Sequence, residues 1–79
     1  MPSGEIKKSV AETVLRAHGV SVSLKDKETS LFIKGDVIYA VCLEELIRRR
    51  MVHTIARKFD IPIHHFYNPE LVQDLNQPS

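Results

Sequence analysis

Apolar residues recur along this chain with two different periods, and the switches between those periods outline its elements. Ile6, Val10, Val14 and Ala17 recur at spacings of four and three. That spacing predicts a helix over about residues 4–17, with Lys7, Lys8, Glu12 and Arg16 turned to water. Ser3 is suited to cap its start, and Gly19 can take the left-handed geometry that ends a helix. Val20, Val22 and Leu24 then alternate with Ser21 and Ser23, the period of a half-buried strand. The charged run Lys25 to Glu28 reads as the turn that follows it.

Two β-favouring apolar runs come next, Leu31 to Ile33 and Val37 to Leu43, separated by Lys34, Gly35 and Asp36. Gly supplies an unusual backbone angle and Asp bonds to nearby amides, so the three residues predict a hairpin. A helix starting at Asp36 is the competing reading. The strand is preferred because VIYAVCL has no polar face and is rich in β-branched residues.

Helical spacing returns near Leu43. Leu43, Leu46, Ile47 and Met51 form one stripe, and Met51, Val52, Ile55 and Phe59 form another displaced around the axis. This drift predicts either a bent helix or two short helices meeting near Arg50. Pro62 ends the helical stretch near Asp60, and Ile61 to Ile63 is expected to add a short strand. Asn68 and Pro69 read as a turn, and ELVQDL as one or two helical turns. The expected fold class is therefore α+β: a small two-layer domain whose antiparallel three-stranded sheet is covered by helices, in the approximate order αβββα plus a short C-terminal element. Residues 1–79 read as a single domain, with residues 1–3 and 76–79 frayed.

Composition agrees with a folded unit. Hydrophobic residues make up 43% of the chain and charged residues 27%, enough apolar surface to offset chain entropy. Trp is absent and the aromatics are Phe32, Phe59, Phe66, Tyr39 and Tyr67, so the core is expected to be mainly aliphatic. A domain this small is often strengthened by self-association, which makes a homodimer a structural expectation without fixing a stoichiometry. Cys42, the only cysteine, excludes an internal disulfide and reads as a small core side chain at a strand end. The sequence contains neither an apolar run of about 20 residues nor a secretory leader pattern, so a cytoplasmic protein without a transmembrane segment is expected.

The net charge of +1 does not predict a polyanion binder, but the charge is unevenly placed. Arg48, Arg49, Arg50, Arg57 and Lys58 lie in a stretch without an acidic residue. On a helix Arg50 and Arg57 are two turns apart and share a face with His53, where their guanidinium groups could hold phosphate or an acidic partner. The ending His64-His65-Phe66-Tyr67 is a second candidate surface. If extended, it places Phe66 with His64 on one side and Tyr67 with His65 on the other, and full burial of Phe66 would remove that residue from an interface.

Catalytic and metal chemistry find less support. Adjacent His64 and His65 point apart in an extended segment, and no histidine or cysteine spacing matches a zinc site, so no metal or cofactor is expected. A reactive Cys42 would need His53 or His64 nearby. Glu44 and Glu45 are expected to stabilise the N-terminus of the second helix, and His18 to sit at the end of the first.

The αβββα order resembles the double-stranded-RNA-binding domain family, which reads duplex shape and phosphates partly through a basic helix N-terminus; here LEELI stands at that position and the positive charge comes later. TIARKFDIP followed by HHFYNPELV resembles a helix-turn-helix unit, interrupted by Pro62 and Pro69. VSVSLK, FIKG, IARKFDIPI and NPELVQDL together resemble the cytoplasmic domain of type III secretion substrate-switch proteins, which implies a docking domain. The Asn-Pro-Thr-His cleavage sequence of those proteins is missing, so no cleavage residue carries over.

The functional expectation is a small non-catalytic protein-interaction or regulatory module, not an enzyme, with a protein partner or a second copy as its ligand. Arg48, Arg50, His53, Arg57, Lys58, Phe66 and Tyr67 are its candidate interaction residues. The alternative is binding of nucleic-acid phosphates through the Arg48–Lys58 segment.

Overall fold

The computed structural model describes residues 4–72. Along them run β1 (Ile6–Lys7), α1 (Lys8–Ala17), β2 (Ser21–Leu24), β3 (Thr29–Lys34), β4 (Val37–Cys42), β5 (Leu46–Ile47), α2 (Arg49–Lys58) and α3 (Ile63–Tyr67). β2, β3 and β4 form an antiparallel sheet in that order, and β1 pairs antiparallel with β5 in a separate two-stranded sheet. The chain is thus the expected small α+β fold with a three-stranded antiparallel sheet, helices and a short C-terminal element. A further helical turn begins at Glu70. The expected Ser3 cap and the frayed residues 1–3 and 76–79 lie outside the described residues, as does the end of ELVQDL.

The predicted turns have clear chemical causes. Gly35 and Asp36 form a two-residue loop closed by the pair Lys34 and Val37. Gly35 has φ +59° while Asp36 stays outside the positive-φ region, the arrangement in which glycine takes the first central position of a hairpin turn. In the β2–β3 turn, Asp26 Oδ1 accepts hydrogen bonds from the backbone N–H groups of Glu28 (3.0 Å) and Thr29 (2.9 Å). Those bonds, the one from Glu28 foremost, hold the Asp26 carboxyl below its ordinary pKa.

Both longer helices end alike. After α1, Gly19 takes φ +83°, Gly19 N–H donates to Arg16 O (3.0 Å) and Val20 N–H to Leu15 O (3.0 Å). After α2, Asp60 takes φ +55°, Asp60 N–H donates to Arg57 O (3.4 Å) and Ile61 N–H to Ala56 O (2.8 Å). This double bond pattern satisfies carbonyls that a helix end would leave unpaired.

Packing corrects several expectations. The buried stripe of α1 is Ala11, Val14 and Leu15, one step around the helix from the predicted face, because Ile6 belongs to β1. Leu43 to Arg48 is not helical: Leu46 and Ile47 pair with Lys7 and Ile6, and Lys8 N–H donates to Glu45 O (2.8 Å). Glu44 and Glu45 therefore do not cap α2, whose first turn contains no acidic residue. Ile61 to Ile63 does not form a strand; Pro62 stands at the start of α3. Consequently His64 to Tyr67 is helical rather than extended. Cys42, expected in the core, is exposed on the outer side of β4.

One buried cluster joins the helices to the inner face of the larger sheet, with Val14, Leu15, Phe32, Val52, Ile55, Phe59 and Phe66 among its members. Phe32 and Phe59 meet edge to face at 6.3 Å. Ser30 is also fully buried on the inner face, where its hydroxyl has no hydrogen-bond partner among the described residues.

Candidate functional site

α2 arranges its polar residues in two lines at i, i+4 spacing: Arg49, the half-buried His53 and Arg57 in one, Arg50, Thr54 and Lys58 in the next. Arg50, His53, Thr54, Arg57 and Lys58 surround one shallow depression. Arg50 and Arg57 stand about 10 Å apart along the axis, from the rise of 1.5 Å per residue. Neither guanidinium has a hydrogen bond or ion pair among the described residues. The other groups are more tied down. Lys58 Nζ lies 5.4 Å from the centroid of the Tyr39 ring, and Thr54 Oγ1 donates to Arg50 O (3.0 Å). Arg49 Nε donates to His53 Nε2 at 3.5 Å, a weak bond that uses the lone pair of the neutral ring.

A second depression adjoins the first. Gly4, Arg49, His53, Ile63, His64, Tyr67 and Asn68 line it, so His53 borders both. Its far wall is held by Tyr67, whose hydroxyl donates to Gly4 O at 2.6 Å. Together the two form a groove, basic along α2 and partly apolar toward Ile63 and the Tyr67 ring.

The structure therefore brings Arg50, His53, Arg57 and Lys58 together, with Tyr67 at the neighbouring end. It does not bring Arg48 or Phe66 to them. Arg48 precedes α2 with extended backbone and borders a different depression with Cys42, Leu43, Glu44, Leu46, Ile47 and Met51. Phe66 is 1% exposed, so its ring is core and is removed from the interface.

The sequence reading missed Arg49 as part of the groove, although its place four residues before His53 was a usable signal. It also missed the contact between His18 and His65. His18 Nε2 and His65 Nδ1 lie 2.9 Å apart, and the rings stack at 5.1 Å. His18 sits at the end of α1, as expected, but nothing in local spacing marks a partner 47 residues away. Burial, then the charges of His65 and Lys34, lower the His18 pKa.

Cys42 approaches Thr29 Oγ1 at 3.5 Å and makes no hydrogen bond to a histidine among the described residues. No group of three or more His, Cys, Asp or Glu residues is arranged to hold a metal among the described residues. No helix among them is long and apolar enough to cross a membrane. No protein-family model, curated protein or solved structure matches this chain.

Proposed function

We propose that this protein is a small, non-catalytic interaction module that docks an acidic segment of a partner protein in the α2 groove. The observation that carries the reading is the position of His53, which joins the Arg50–Arg57–Lys58 depression to the cleft lined by Ile63 and Tyr67. Cations on one side steer and orient carboxylates, while the apolar end accepts an aliphatic or aromatic anchor. Two guanidinium groups without carboxylate partners among the described residues supply planar donors for that purpose.

The same cations favour a second reading, contact with nucleic-acid phosphates. It uses the basic line and leaves the apolar cleft without a role, and Arg48 lies outside the groove. Titration against an Asp/Glu-rich peptide containing Leu and Phe, and separately against a mixed-sequence RNA duplex, distinguishes the two. Peptide binding that is lost in Arg50→Glu/Arg57→Glu and weakened by Ile63→Ala supports the protein-docking reading. Duplex binding with a steep fall in affinity between about 50 mM and about 500 mM salt, unaffected by Ile63→Ala, supports the phosphate reading. Failure of both probes to bind at low salt rejects the groove as an anion site of either kind.

A further inference from the structure

We propose that a second copy of this chain pairs with the free edge of β4, in an antiparallel two-fold arrangement centred on Ala40. This edge is a different surface from the α2 groove. β4 is an edge strand because the sheet order is β2-β3-β4. The hairpin register determines which of its backbone groups are already used. Lys34 and Val37 flank the two-residue loop, so they form a hydrogen-bonded pair, as do Phe32 with Tyr39 and Ser30 with Val41. The intervening residues, Ile38, Ala40 and Cys42, turn their N–H and C=O groups away from β3. No other backbone segment among the described residues pairs with them, and no outward backbone N–H or C=O of the three has a hydrogen bond there; the Cys42 side chain alone meets Thr29 Oγ1, within the sheet.

Proteins blunt such edges with charge, proline, bulges or a covering element. β4 has the sequence VIYAVC, with no charge and no proline, and its register with β3 runs without a bulge from Val37 to Cys42. The opposite edge is different: β2 is shorter, packs beside α1 and leads into the charged Lys25-Asp26-Lys27 turn. The outward side chains on β4 are Ile38, Ala40 and Cys42, all exposed, with Ile38 at 62%. Ile33, Leu31 and Thr29 continue that uncharged outer face on β3.

Self-complementarity selects the occupant. Under a two-fold axis at Ala40, Ala40 faces Ala40 of the second copy, and Ile38 faces its Cys42. All the outward-turned donors and acceptors of Ile38, Ala40 and Cys42 then meet partners across the axis. Centring on Tyr39 leaves Cys42 opposite Asp36, in the hairpin turn, and loses that complete match. The small Ala40 methyl places no bulk at the axis, and the two three-stranded sheets become one with a continuous uncharged outer face, apolar across Leu31, Ile33, Ile38 and Ala40. An isologous contact of this kind closes on itself as a dimer.

The Ala40-centred register also predicts a salt response. Asp36 falls opposite Glu44 of the second copy, so screening that repulsion does not weaken association, whereas it weakens an ionic contact in the groove.

The test is light scattering of the full chain from about 1 µM to about 1 mM, a range suited to a small interface. The expected mass rises from the 9.0 kDa of one chain toward twice that value. Ile38→Lys and Ala40→Pro stay at the single-chain mass with unchanged far-UV circular dichroism, while Arg50→Glu/Arg57→Glu still dimerises. In a Cys42→Ser background, Ala40→Cys joins two chains on mild oxidation, since hydrogen-bonded partners lie about 5.5 Å apart between Cα atoms. A wild-type chain that remains monomeric throughout, a dimer that survives both β4 variants, or one that dissociates as salt rises overturns the proposal. A dimer lost in Arg50→Glu/Arg57→Glu but retained in Ile38→Lys reassigns self-association to the groove.

Discussion

Helices α1 and α2 share a construction but differ in the charge they expose. Each has ten residues, starts without a side-chain cap and ends in the same pair of backbone bonds around a left-handed residue. Each buries three apolar residues, Ala11, Val14 and Leu15 in one and Val52, Ile55 and Ala56 in the other. On α1 the line Lys8, Glu12, Arg16, half-buried at its first two positions and exposed at the third, alternates in sign, which favours an isolated helix. On α2 the lines Arg49-His53-Arg57 and Arg50-Thr54-Lys58 contain no acid at all. Both helices also begin with cations, Lys7 and Lys8 in one and Arg48 to Arg50 in the other, at the end where the backbone dipole is already positive, and only α1 offsets them with an acid one turn on. Local electrostatics therefore oppose α2, and its buried face and the fold hold it in place. Departures from local consistency of this kind concentrate where a surface has another use.

The strongest way to break the comparison is through the buried faces. Leu15→Ala and Ile55→Ala are each expected to lose about 2–5 kcal/mol, because both create space in the same packed cluster. Urea unfolding of the two variants checks this; a much smaller loss for Ile55→Ala would show that α2 is not anchored by its inner face. The helix ends come next. Gly19→Ala forces a side chain into left-handed backbone and is expected to cost about 1–2 kcal/mol, whereas Asp60→Gly relieves it and gains about 0.5–1 kcal/mol. Opposite shifts in thermal midpoint are the expected readout.

Charge reversal sharpens the contrast at a smaller scale. Arg50→Glu is expected to stabilise the protein by about 0.3–1 kcal/mol through the dipole at the start of α2. Glu12→Lys on α1 is expected to destabilise it by about 0.2–0.5 kcal/mol through like charges along its line. Denaturant midpoints read both, and a loss of stability in Arg50→Glu would contradict the electrostatic account. The smallest effect concerns pH. The lowered His18 pKa means that the unfolded chain takes up this proton more readily than the folded one. Its stability contribution is present above the ordinary histidine value near 6.5 and is lost as pH falls through the lower folded value. Thermal unfolding between about pH 7.5 and about pH 5 is expected to show this loss, reduced in His18→Gln.

Much of this architecture was legible from local chemistry. Gly19 marked a helix end, Gly35 and Asp36 a hairpin, and the alternation of Val20 to Leu24 a strand, because each depends on neighbours close in sequence. The segment Leu43 to Arg48 was misread for the opposite reason. Leu43, Leu46 and Ile47 have helical spacing, yet Leu46 and Ile47 are strand residues because Ile6 and Lys7 pair with them from the far end of the chain. Pro62 was read as a stop but stands equally well before a new helix, since the first turn does not need its missing N–H. Within the candidate groove, the Arg50, His53 and Arg57 face followed from helical spacing. Burial of Phe66 and exposure of Cys42 depended on which side of the core α3 and β4 present, which local spacing does not specify.

The bond between Tyr67 and Gly4 has a consequence for the way the chain is made. Its partners are 63 residues apart, and the β1–β5 pairing likewise joins an early segment to a late one. On a ribosome, the β2–β3–β4 meander can form as soon as it emerges, whereas the earliest described strand must wait for Leu46 and Ile47. The phenol closure comes later still. The nascent chain would thus carry Ile6 without its partner until Leu46 and Ile47 emerge, and the groove would acquire its second wall only after the meander has formed.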